Sequence, residues 1–152
     1  MKNTVSVIQV KKDEWKQVKN VFYQVWNDGI LYDYDTELEN SQTIYGIQLP
    51  PNDIVGVAVI NSVNETTIQL HYLVVLDTWR RHGFASMLIE NVIKDNKEKT
   101  IRLEVRETNC GAISLYKRFG FQVVKRDDTL FSKDQHGQTA GLMMEKRDGT
   151  SL

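Results

Sequence analysis

The segment from residue 66 to residue 107 constrains the fold more than any other part of the chain. It opens with an apolar run, TTIQLHYLVVL, passes through DTWRRHGFASM, continues as LIENVI, and after a polar stretch ends in TIRLEVRE. The first run is apolar enough for a buried strand, and LIENVI carries its apolar residues at helical spacing. In TIRLEVRE, Ile101, Leu103 and Val105 alternate with polar residues, as in a strand with one buried face. Strand, helix and strand in this order make a right-handed crossover, so 66–76 and 100–107 are expected to lie parallel in one sheet.

The remaining segments read as elements around this unit. VSVIQV (5–10) is a short strand, and KKDEWKQVKNVFYQVW follows with Trp15, Val18, Val21, Phe22 and Val25 on one helical stripe and Asp13 as its expected cap. TIYGIQL (43–49) and IVGVAVI (54–60) flank the turn PPND, which predicts a hairpin. NCGAISLYKRFG (109–120) reads as a short helix stopped by Gly120, and FQVVKR and GLMMEK as final strands. The result is a mixed α/β (α+β) sheet, mostly antiparallel, in a single domain over 1–148 with a short tail at 149–152.

The formal net charge of −1 and pI near 6.3 give no global basic field, so a nucleic-acid partner is not expected. Cys110 is the only cysteine, and His71, His82 and His136 are too far apart for a zinc-type pattern, so neither an intramolecular disulfide nor a metal is expected. No apolar run reaches signal-peptide or membrane-span length, which makes the cytoplasm the expected setting and a membrane partner unexpected.

WRRHGFASM is unusual between a strand and a helix. A helix N-terminus leaves about four backbone N–H groups unpaired and carries partial positive charge. Gly83 and Ala85 permit close approach to those donors, and Arg80 and Arg81 add charge. This is what a phosphate group requires, although a solvated basic helix start has the same local sequence.

A second motif lies downstream. RRHGFA (80–85), combined with N-x-x-A-x-x-x-Y-x-x-x-G-F (Asn109, Ala112, Tyr116, Gly120, Phe121), resembles the GNAT superfamily of acyl-CoA-dependent N-acyltransferases. LEVRETNCGAISLYKRFGF is especially similar to the branch that acetylates protein N-termini, including ribosomal-protein alanine N-acetyltransferases. The likeness covers about 43–146 well and 5–40 in element order only. It implies a GNAT fold, a six- to seven-stranded sheet with about four helices, and acetyl-CoA as cosubstrate.

By the same resemblance, Arg80, Arg81, His82, Gly83, Phe84 and Ala85 would hold the pyrophosphate. Backbone groups at Leu73, Val74 and Val75 would face the thioester, while Asn109 and Ala112 would serve the pantetheine arm. Tyr116 would be the general acid, with Lys117 or Arg118 as candidates for the outer phosphate. The base stays open among Glu104, His71 and a water relay. Leu130 and Phe131 stand where the N-terminal acetyltransferases usually carry a tyrosine pair. The acceptor is therefore either a peptide N-terminal amine or a small cationic amine, the latter attracted by five carboxylates in NDGILYDYDTELEN (27–40). A non-catalytic acyl-CoA-binding module is the alternative, and a homodimer is compatible with either.

Overall fold

The computed structural model describes residues 4–26 and 34–147. Seven strands form one sheet: β1 (Ser6–Gln9), β2 (Thr43–Leu49), β3 (Asp53–Ser62), β4 (Thr67–Val75), β5 (Thr100–Arg106), β6 (Gln122–Asp127) and β7 (Gly141–Lys146), in the order β1-β2-β3-β4-β5-β7-β6. Only β4 and β5 run parallel. Four helices complete the fold: α1 (Trp15–Trp26), α2 (Tyr34–Glu39), α3 (Phe84–Asp95) and α4 (Cys110–Arg118). The expected crossover is therefore present, with α3 as its helix.

Both faces of the sheet are covered, which is why β3 is buried almost continuously instead of alternating. On one face α1 and α2 bury Val18, Val21, Phe22 and Leu38 against Ile44, Val57 and Val59. On the other, Phe84, Leu88, Ile89 and Val92 of α3 pack over Ile60, Ile68, Leu70 and Ile101. Leu88 and Ile89 are 0% and 1% exposed. Each such side chain contributes about 1.5–3 kcal/mol relative to exposure, so α3, and the loop that starts it, are firmly seated. A hydrogen bond of 2.8 Å from the Tyr45 hydroxyl to Asp95 Oδ2 ties the far end of α3 to β2.

The start of α1 differs from expectation. Asp13 lies within a 3-10 turn, Lys12–Glu14, and Glu14 Oε1 instead accepts from the Lys11 backbone N–H at 3.0 Å. Glu14 reaches back over this turn, so Asp13 is not the cap. The end of α4 follows the sequence closely. Gly120 takes φ 92°, its N–H donates to Lys117 O and the Phe121 N–H donates to Tyr116 O, closing the helix in a Schellman arrangement.

Candidate active site

The site originates where the parallel pair comes apart. β4 and β5 are in register from Thr67–Thr100 to Leu70–Leu103 and no further. Past that point β4 stays with β3 as far as Val75, and β5 stays with β7 as far as Arg106. Main-chain groups of residues 71–75 on the β5 side thus face a cleft of about 550 Å³ instead of a neighbouring strand. Leu73, Val74 and Val75 line it, as their predicted role requires.

A bulge lies at the branch point. Val59 opposes Tyr72 and Ile60 opposes Leu70, leaving His71 as the extra residue of β4. Bulges twist a strand and re-aim side chains. Here the His71 ring packs against Tyr72, 4.1 Å between centroids, and lines the cleft.

The basic loop meets the cleft at the end of β4. A 3-10 turn, Asp77–Trp79, leads into Arg81 at φ 66° and Gly83 at φ 77°, and Gly83 is the N-cap of α3. With no side chain at the cap, nothing folds back over the first-turn N–H groups. A Cβ on Gly83 would meet nothing within 4 Å, so the start of α3 is open at this position. A second hollow of about 290 Å³ is lined here by Arg80, Arg81, Gly83, Ala85 and Arg118 among others. Unpaired N–H donors, open space and converging guanidinium groups suit a pyrophosphate.

The three basic side chains of this loop have different roles. Arg80 forms an exposed ion pair with Asp77 at 2.9 Å and lines both hollows. Arg81 makes no ion pair among the described residues. His82 turns back into the loop: Nδ1 lies 2.9 Å from Arg80 O and 3.1 Å from Trp79 O, and its ring stacks on Phe84. It braces the loop and is not among the residues lining the hollow. Arg118 reaches the hollow and Lys117 does not.

α4 forms the facing wall. Asn109 caps it, Oδ1 accepting from the Ala112 N–H at 3.2 Å. That bond commits the oxygen and leaves the amide NH₂ of Asn109 to the cleft, which Ala112 also lines. Tyr116 is 8% exposed, lies 5.8 Å from Phe121 between ring centroids, and opens onto the cleft. Tyr116 and Phe121 are the apolar partners that accompany a Schellman motif, so the turn at Gly120 also fixes the phenol. Burial pushes its pKa up to about 12, keeping it protonated at neutral pH.

The rest of the cleft is built by elements far apart in sequence. Val25 and Trp26 of α1 lie on one side and Phe131, from the β6–β7 loop, on the other. Arg106 holds that loop in place. It donates to Ser132 O at 2.9 Å and Gln138 O at 3.2 Å, and its guanidinium sits 4.8 Å over the Phe131 ring. Gly141 makes room for this arrangement, since a Cβ there would stand 2.5 Å from Phe131 Cε2 and 2.6 Å from Leu130 Cδ2.

Glu104 is exposed on β5 and lines the cleft, but the two arginines flanking it in sequence look elsewhere: Arg102 pairs with Glu145 at 3.2 Å and Arg106 with the loop carbonyls. Among the described residues Glu104 makes no ion pair. The acidic stretch is also more occupied than its composition suggests. Asp35 pairs with Lys19, Glu39 with Lys12, and Glu37 with His71, the last at 2.8 Å. Asp28 and Asp33 lie outside the described residues. Sequence reasoning missed the contributions of Glu37, Trp26, Tyr72 and Arg106 to the site. Each depends on a long-range contact, and no local spacing announces it. Among the described residues no group of three or more His, Cys, Asp or Glu side chains could hold a metal ion.

The chain is similar to known proteins in both sequence and fold. It shares 32% identity over 90 residues with a probable N-acetyltransferase, san, of Drosophila melanogaster, covering 54% of this chain and 49% of that one. It shares 42% over 57 residues with an N-alpha-acetyltransferase of Sulfolobus acidocaldarius, covering 35% of this chain and 34% of that one. The chain thus spans half or less of the length of these curated relatives. Its fold superimposes with a TM-score of 0.83 on the ribosomal-protein-S18-alanine N-acetyltransferase of Escherichia coli, at 16% identity over 98% of this chain and 97% of that one. The model of the Acetyltransferase (GNAT) family matches residues 9–121. That match covers the splayed strands, the open start of α3 and the Asn109–Tyr116 wall, and the chain belongs to the GNAT acetyltransferase family.

Proposed function

We propose that this protein is an acetyl-CoA-dependent N-acetyltransferase acting on a primary amine, specifically the α-amine of a peptide or protein N-terminus. The observation carrying this reading is the convergence of three features on one cleft: the unpaired edge of β4, the uncapped start of α3, and the buried phenol of Tyr116. Acetyl-CoA supplies the activated acyl group as a thioester. Arg81, Arg118 and the first-turn N–H groups of α3 bind its phosphates, and the amide of Asn109 orients the pantetheine arm. The backbone N–H groups of Leu73 and Val75, which alternate with those bonded to β3, stabilise negative charge developing on the carbonyl oxygen, a contribution of about 3–4 kcal/mol per donor where measured.

Tyr116 then donates toward the departing sulfur. A phenol at about 12 gives its proton to a thiolate near 8.5 only uphill, by roughly 5 kcal/mol for full transfer. Its burial therefore favours a strong hydrogen bond to the developing thiolate, with transfer completed as the product separates. Asp35 and Glu39 of α2 support a peptide amine over a polycation, because their charge is already balanced by Lys19 and Lys12 within the chain. An α-amine with pKa near 7.8 is roughly one-tenth neutral at pH 7, against under about a tenth of a percent for a lysine amine, so it makes a smaller demand on the base.

The test is thiol release from acetyl-CoA across a peptide panel and a panel of polyamines and aminoglycosides, with mass spectrometry of the product. Peptides acetylated at the α-amine are expected. Turnover confined to the cationic amines would overturn the acceptor assignment, and tight acetyl-CoA binding without turnover on any amine would identify a non-catalytic binding module.

A further inference from the structure

We infer that Glu37 and His71 act as a unit, with His71 as the general base that takes the proton of the attacking amine and Glu37 as the residue that positions it. The inference rests on the acetyl-transfer reading above and assigns the one role which that reading leaves open. His71 is the extra residue of the β4 bulge, beside the unpaired edge of the strand, and lines the cleft that Tyr116 lines from the opposite wall. Its Nε2 lies 2.8 Å from Glu37 Oε2, and the two side chains are 28% and 27% exposed. The pair is thus partly shielded yet open to the cleft. Tyr72, 4.1 Å away between ring centroids, restricts rotation of the imidazole.

The hydrogen bond selects a tautomer. A carboxylate can only accept, so Nε2 carries the proton and Nδ1 keeps its lone pair. Among the described residues no hydrogen bond goes to Nδ1. The arrangement matches the part that an aspartate plays for a histidine base in hydrolases: it fixes tautomer and orientation and stabilises the imidazolium that forms. The competing base is Glu104. Free carboxylates titrate near 4 and imidazoles near 6.5, so at neutral pH an imidazole is the stronger base of the two types.

The step balances. As the amine nitrogen bonds to the thioester carbon it gives one proton to His71 Nδ1. The C–S bond breaks, and sulfur takes a proton from Tyr116. The imidazolium proton then restores the phenol through solvent, so the amide and the free thiol are the only net products.

The ionisable or charged groups around His71 are Glu37 on α2, Tyr72 on its own strand, Glu104 and Arg106 on β5, Tyr116 on α4, and Arg80 at the loop. With a peptide acceptor, His71→Gln is expected to reduce kcat about 100-fold, within the usual range for a general base, with acetyl-CoA affinity unchanged. Glu37→Gln is expected to reduce kcat about tenfold with KM for the acceptor little changed. Added to His71→Gln, it should cost less than about twofold more, since members of a catalytic unit are strongly non-additive.

A pair that merely fastens α2 to the sheet predicts a different pattern: Glu37→Gln lowers the thermal midpoint and costs the same in both backgrounds. That result would overturn the inference. Nitrogen-15 NMR of the wild-type imidazole gives a readout free of both variants and turnover: an Nε2–H tautomer supports the pair and an Nδ1–H tautomer refutes it. If the wild type turns over and His71→Gln keeps more than half of its rate, the catalytic pair is wrong while acetyl transfer stands. If the wild type acetylates no amine, the transfer reading fails and the pair's catalytic role falls with it.

Discussion

Substituting Gly83 separates backbone conformation from ligand approach. Its φ of 77° is left-handed, so any L-residue there carries a conformational cost of about 1–2 kcal/mol. Crowding adds nothing, because a Cβ would meet no atom within 4 Å. Gly83→Ala should therefore lower the unfolding midpoint by only about 2–8 °C. The effect on acetyl-CoA is expected to be larger, since Gly83 lines the hollow at the start of α3 and the new methyl group would narrow it. Losing one charge-assisted hydrogen bond of about 1.5–3 kcal/mol weakens binding roughly 10- to 150-fold. Gly83→Asp adds like-charge repulsion and should weaken it further. A matched control exists in the chain: Gly137 has φ 75° and equally open surroundings, but lies in the β6–β7 loop. Gly137→Ala should show the same thermal loss with unchanged acetyl-CoA affinity. Calorimetric titration and thermal unfolding on the three variants read both quantities. An acetyl-CoA Kd within about threefold of wild type for Gly83→Asp would refute the phosphate assignment.

Tyr116→Phe should lower kcat by about 10²-fold or more while changing acetyl-CoA affinity little, as measured by single-turnover kinetics and titration. The same variant alters stability in alkali. The folded-state pKa of Tyr116 is raised to about 12 from a free value of 10.0, so the unfolded chain loses this proton first. The stability contribution is complete below pH 10 and is lost as the pH rises from 10 to 12, by roughly 3 kcal/mol in all. Denaturant titrations at pH 9 and 11.5 should show a smaller loss in Tyr116→Phe than in wild type. Gly141→Ala should drive Phe131 and Leu130 off their seats and raise the acceptor KM several-fold, with a stability cost of about 1–3 kcal/mol; initial-rate kinetics with each substrate varied in turn will show whether acetyl-CoA is spared. Asn109→Asp keeps a capping oxygen but loses the amide donor, so it should preserve the thermal midpoint and weaken acetyl-CoA binding. Full affinity in that variant would reduce Asn109 to a cap.

The cofactor side of the site was legible in the sequence because its parts are local. The RRHGFA turn, the Asn109 cap, and the Tyr116–Gly120–Phe121 helix end each complete their geometry within about a dozen residues, and the crossover rule places them at one end of the sheet. His82 belongs to the RRHGFA motif, but its ring is held by two carbonyls within its own turn, a contact that the motif does not announce. The acceptor side was much less legible. A bulge at His71 leaves no mark in the alternation of a nearly continuous apolar strand, and Glu37 reaches it from 34 residues away. The carboxylates of 27–40 look like an open anionic surface by composition, yet in the described part Asp35 and Glu39 are paired with Lys19 and Lys12, and Glu37 accepts from His71. Pairing of this kind depends on tertiary packing, which residue counts do not record.

The single parallel pair also explains why the site lies where it does. In an antiparallel hairpin the chain turns straight into the next strand, whereas a parallel neighbour requires a helical crossover. Here β4 is followed by α3 and β5 by α4, so two helix N-termini arrive at the end of the sheet where those strands part. Two partial positive charges would compete for one anion if they were equivalent. They are not: Asn109 closes the start of α4 with its own side chain, and Gly83 leaves the start of α3 bare. On the proposed acetyl-transfer reading, a ligand with an anionic end and a neutral amide-bearing arm would be aligned in one direction, phosphate toward α3 and arm along α4. Its thioester would then lie beside the free edge of β4, in the cleft that His71 and Tyr116 both line.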